Sequence, residues 1–140
     1  MRGGDFFLDT NVVAYAFDPR EPDKRETATE LMERAENGRG CISFQVVQEF
    51  INVAQNKFRP ILPAEELRLV IQDILIPICR VFPGSDFYLD ALDTQQLTRF
   101  SWYDCLILQA AVNARCDTLY SEDFQDGFQY RGLTVKNPFK

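Results

Sequence analysis

Five short apolar runs, spaced by segments of helical periodicity, constrain this chain more than any other feature. Residues 5–9 read as a buried strand, GCIS at 40–43 as a second and CRVF at 79–82 as a third. DTLY at 117–120 and residues 133–135 supply a fourth and a fifth. Between them apolar residues recur at i, i+3, i+4 and i+7. A first helix is predicted over about 11–17. A second carries Ala28, Leu31, Met32 and Ala35, opened by an acidic capping box of Asp23 and Glu26 and closed by AsnGly at 37–38. A third carries Val46, Val47, Phe50, Ile51 and Ala54. A fourth starts at Pro63, with apolar positions 67, 70, 71, 74, 75 and 78, and should break at Pro77. Further helices are predicted over about 87–98 and from Ser101 to Arg115. Strands this short, alternating with helices, imply an α/β fold with a parallel sheet covered on both faces. In such sheets binding sites form at the carboxyl ends of the strands.

At 140 residues, one domain spanning 1–140 is expected. The chain lacks an apolar run of membrane-spanning length, and its N-terminus lacks a signal-peptide core. These features, with four cysteines at 41, 79, 105 and 116 that show no CxxC spacing, lead to the expectation of a soluble, cytoplasmic protein with free thiols. Cys105 and Cys116 are expected on one helix, too far apart to pair.

The chain has no histidine, which excludes Ser-His-Asp and Cys-His catalysis and histidine-bound zinc. Proton or metal chemistry must fall to its 21 acidic residues. The net charge of −6 argues against simple electrostatic capture of nucleic acid.

Four acids break the apolar pattern. Asp9 ends the first strand, where it also suits a helix N-cap. Glu49 lies at the margin of the apolar face of the third helix. Asp104 stands among Ile107, Leu108 and Ala111 at helical spacing, and is also the N3 acid of a cap with Ser101. Asp123 follows the fourth strand. Each has an ordinary structural reading taken alone. Together, two follow strands and two lie near the starts of helices at the rim, which puts all four at one edge of one sheet. Gathered carboxylates repel one another and call for a counter-cation. Hard oxygen ligands suit magnesium or manganese.

FLDTNVVAYAF, QEF at 48–50, SWYDCLILQAA at 101–111, LYSEDF at 119–124 and the terminal VKNPF resemble the PIN-domain family, and within it the VapC toxins. The likeness runs from residue 6 to 139. It implies a three-layer α/β/α PIN-like fold with a central parallel sheet of four to five short strands. It implies a magnesium- or manganese-dependent endoribonuclease leaving 5′-phosphate and 3′-hydroxyl ends. Asp9, Glu49, Asp104 and Asp123 match the family's acids, with Asp126 as an additional or substitute ligand. Thr10, Asn11 and Ser121 are expected as supporting neighbours, Ser121 standing where the family often has threonine. Arg20, Lys24, Arg25, Lys57 and Arg59 are candidates to grip the RNA backbone, each against the plainer reading of a solvated surface charge. The resemblance also implies a homodimer and a VapB-type antitoxin that lays a helix or an extended tail between predicted helices two to four.

Rival readings are weaker. A receiver domain needs a lysine after its last strand, and Lys136 comes too late. A HAD-type phosphatase needs DxDx[TV], and position 11 is Asn. A non-catalytic PIN-type RNA-binding or scaffold module, or a PIN nuclease of RNA processing without an antitoxin, is the alternative that the motifs leave open.

Overall fold

The computed structural model describes residues 5–56 and 60–140. At its centre is β1, Phe6–Leu8, whose three residues are all buried. Consecutive residues of a strand point to opposite faces, so burial of all three requires cover on both sides of the sheet. That is the three-layer α/β/α arrangement.

The sheet has six strands: β2 (Gly40–Ser43), β3 (Cys79–Val81), β4 (Thr118–Tyr120), β5 (Gln129–Tyr130) and β6 (Leu133–Lys136) join β1 in the order β3-β2-β1-β4-β6-β5. All neighbours are parallel except β5 and β6, an antiparallel pair at the edge. The expected sheet of four to five strands lacked this last element. β5 is two residues long, exposed at Gln129, and has no apolar run to mark it. From β1 the chain builds outward through β2 to β3, then returns to place β4 on the other side of β1. The carboxyl ends of β1 and β4 therefore flank the point where the strand order reverses.

The helices are α1 (Thr10–Tyr15), α2 (Pro22–Arg34), α3 (Phe44–Ala54), α4 (Ala64–Val70), α5 (Ile76–Ile78), α6 (Ser85–Thr98) and α7 (Trp102–Asn113). Ser101 caps α7 as predicted, its Oγ accepting the Asp104 amide at 3.3 Å. Gly38, at φ 95°, ends the π-type turn that extends α2, as AsnGly foretold. One local expectation fails: α2 opens at Pro22 behind Glu21 with no side-chain cap, because proline at N1 needs no amide partner. The helical run from α4 widens in a π-type turn over Ile71–Leu75 and ends at Ile78, one residue past Pro77.

Phe6, Phe7, Leu8, Ile42, Phe50, Leu108, Leu119 and Val135 form the centre of one core. Gly40 abuts Phe6 so closely that an added Cβ would lie 2.3 Å from the ring's Cε1. Cys116 lies beyond the end of α7, not on one helix with Cys105, and its Sγ sits 3.8 Å from that of Cys41 in β2. All four cysteines are free thiols. No helix among the described residues is long and apolar enough to cross a membrane.

Candidate metal centre at the carboxyl edge of the sheet

Asp9 leaves β1 and caps α1, its Oδ1 accepting the Thr10 amide at 2.7 Å. Its Oδ2 accepts the Ser121 hydroxyl at 2.7 Å. Ser121 follows β4 directly, so this bond ties together the two strand ends at the reversal point. Burial is the main influence on Asp9 and pushes its carboxyl up to about 7. The bonds from Ser121 and Thr10 pull it down, and the charges of Asp123 and Glu49 push it up again.

Glu49 stands in the middle of α3 rather than near its start. Its Oε1 accepts the Thr10 hydroxyl at 2.5 Å and its Oε2 accepts Gln45 Nε2 at 3.0 Å. Gln45 is four residues earlier on the same helix face, buried, with Oε1 left without a partner. Asp104 opens α7, half-buried above Ile107, Leu108 and Ala111, which are all buried. Burial raises its carboxyl first, and the charges of Asp123 and Glu49 add to the rise, against the lowering contact with Ser101.

Asp123 is exposed in the loop after β4. Its amide donates to Ser121 Oγ at 3.0 Å, and its Oδ2 accepts Asn11 Nδ2 at 3.0 Å. The same Asn11 nitrogen lies 3.5 Å from Asp9 Oδ2, and Asn11 Oδ1 accepts the Glu122 amide at 3.4 Å. Asn11 is thus the hub between β1 and the β4 loop.

The fold brings Asp9, Glu49, Asp104 and Asp123 into one electrostatic neighbourhood. Asp126 is not brought in: it is exposed, and its Oδ1 accepts the Asn137 amide at 2.8 Å, pinning the turn beside β6. Of the basic candidates, Arg20 is held by Asp18 and Lys24 by Glu122, while Arg25 is exposed on α2. Lys57 and Arg59 lie outside the described residues.

Among the described residues no Lys or Arg pairs with any of the four acids. The donors that reach them among the described residues are neutral: the hydroxyls of Thr10 and Ser121, the backbone amide of Thr10 and the side-chain amides of Asn11 and Gln45. Nor, among the described residues, do three or more acids already converge on one point where an ion would sit. Asn11 occupies the space between Asp9 and Asp123, and Glu49 is drawn toward Thr10 and Gln45. The donor set still fits a hard divalent cation. It is made of carboxylate oxygens, and the buried one, Asp9, is pushed up to about 7 first by its burial and then by the neighbouring acid charges, a penalty that a bound cation would relieve.

The family model for the PIN domain matches residues 6–129. The chain belongs to the PIN-domain family. No curated protein matches it. PIN domains are nuclease-type modules that typically use divalent metals, and the carboxyl edge of this PIN domain is the place where its acids gather.

Reasoning from sequence missed two participants, Gln45 and Tyr15, and gave Lys24 a different part. Gln45 is flagged by its i−4 relation to Glu49. Tyr15 and Lys24 anchor the β4 loop: Tyr15 Oη donates to Glu122 Oε1 at 2.6 Å, and Lys24 Nζ donates to Glu122 Oε2 at 3.0 Å. Lys24 also lies over the Tyr15 ring, 4.6 Å from its centroid. Such a contact across 98 residues leaves no signal in the chain itself.

Proposed function

We propose that this PIN domain is a divalent-metal-dependent endoribonuclease and the toxin of a VapBC-type pair. The observation that carries the reading is the gathering of Asp9, Glu49, Asp104 and Asp123 with neutral donors alone around them among the described residues. In this reading these four hold magnesium or manganese. When bound, the ion supplies the positive charge and Lewis acidity that phosphodiester hydrolysis by water requires. The chain's own residues do the positioning. Thr10 aims Glu49, Ser121 aims Asp9, and Asn11 sets the spacing between Asp9 and Asp123. Asp126 serves the turn rather than the ion.

The antitoxin reading draws on the likeness to VapC proteins and on an apolar groove of 400 Å³ between α3 and the α4–α5 segment, lined by Ile51, Leu67, Ile71 and Ile76. That groove suits the apolar face of a short helix. The homodimer draws on Tyr88, Leu89, Leu92 and Leu97 of α6, all exposed.

The test is RNA cleavage with and without magnesium by the wild type, Asp9→Asn and Asp104→Asn. The wild type should cut only with the ion. Each variant should lose at least the ~100-fold that removal of a ligand's supporting partner alone costs. Undiminished cleavage by both variants refutes the assignment. A calorimetric titration in which magnesium fails to bind favours a non-catalytic RNA-binding module instead.

A further inference from the structure

The acid cluster opens onto a groove of 510 Å³ that runs away from Asp123 and Glu49 between α1 and α3 toward Asp18 and Arg20. A second hollow of 320 Å³ continues it, sharing Tyr15, Asp18, Arg20 and Val53 as walls. Both lie in the size range of small-ligand sites, roughly 300–1,000 Å³.

Arg20 is the informative residue. Its Nε and Nη2 donate to the two oxygens of Asp18 at 2.8 and 3.0 Å, and its backbone amide donates to Asp18 Oδ1 at 3.0 Å. These bonds favour one orientation of the exposed guanidinium, beside Asp18. Its charge is also met by Asp18. A cation already matched to a carboxylate attracts phosphate weakly, but its planar face remains free to stack on a flat ring. Across the same groove Val53 is exposed although apolar. Tyr15 forms the floor, its ring held by Glu122, Lys24 and an edge contact with Phe139 at 5.1 Å. A guanidinium plane, an exposed aliphatic side chain and a rigid aromatic suit a flat, amphipathic group and not a phosphate.

We propose that the arm of the groove between Arg20, Tyr15 and Val53 receives one unpaired nucleobase of the RNA, from a nucleotide neighbouring the phosphate that meets the acids. The proposal rests on the ribonuclease reading and adds to it the side chains that receive the base. A base held in a duplex has its faces covered by its neighbours and cannot enter.

The experiment measures binding of a fluorescein-labelled single-stranded RNA octamer by anisotropy, with calcium replacing magnesium and strand integrity checked on a gel. The same octamer carrying one abasic position, moved along the strand, is measured in parallel, as is its duplex. For the wild type, one abasic position should weaken binding roughly 10-fold and the duplex at least as much. Arg20→Ala should weaken binding of the intact strand to the same degree and erase the abasic penalty. Arg20→Lys, which keeps charge and loses the plane, should behave like Arg20→Ala. Wild-type binding by Arg20→Lys, or an abasic penalty that persists in Arg20→Ala, overturns the proposal while leaving the ribonuclease reading standing. Absence of RNA binding by the wild type overturns both.

Discussion

Ser121 donates its hydroxyl to Asp9 Oδ2 at 2.7 Å, closing a contact between residues 112 positions apart. Ser121 Oγ in turn accepts the Asp123 amide, so one buried side chain orients two of the four acids. Ser121→Ala should therefore lower stability by about 1–3 kcal/mol, the range for stranding buried polar groups. Chemical denaturation measures it. Magnesium affinity, read by calorimetry, should fall as well, because Asp9 and the Asp123 loop lose their common anchor.

The raised carboxyl of Asp9 makes a pH prediction. An unfolded aspartate titrates near 3.8 and folded Asp9 near 7, so between these values the folded state binds the extra proton. Stability of the metal-free protein should fall as pH rises from about 4 to about 7, by on the order of a few kcal/mol, and then level off. Asp9→Asn should flatten this slope and raise the metal-free melting temperature at pH 8. Magnesium should restore stability more at pH 8 than at pH 5. Melting curves across pH that are identical for wild type and Asp9→Asn would remove the basis for this account.

Tyr15→Phe keeps the ring and deletes the bonds of its hydroxyl to Glu122 and Lys24. The expected loss is about 1 kcal/mol of stability. Hydrogen exchange should speed up at the Glu122 and Asp123 amides while the core amides stay protected.

Gly40→Ala places a methyl group against the Phe6 ring, which is buried between the edge of Tyr120 and the guanidinium of Arg34. With the ring confined, overpacking of about 1–3 kcal/mol is expected in equilibrium unfolding.

Features that depend on neighbours along the chain were legible in the sequence. β1, β2 and β4, the Ser101 cap and the AsnGly stop all rest on apolar runs or local hydrogen bonds, and the structure has them where the residues announced them. One miss was local, the start of α2 at Pro22 without the expected cap; those that follow depend on distance. β5 exists only because β6 pairs with it. Cys116 meets Cys41 across 75 positions, and nothing local foretells that meeting. At the site, the unusual setting of Asp9 and Asp104 was readable from the apolar residues around them. Asp126 read as an additional or substitute ligand because it lies three residues from Asp123 in one loop. In the structure its Oδ1 accepts the Asn137 amide, whereas Asp123 bonds to Asn11 and Ser121.

The central pairing of β1 with β4 has a consequence for biosynthesis. The first strand leaves the ribosome with its aspartate exposed, and the serine that orients it is made more than a hundred residues later. A nascent chain that has not yet released β4 from the exit tunnel carries three of the acids but neither Ser121 nor Asp123. The four acids can therefore gather at this edge only after Ser121 and Asp123 have emerged.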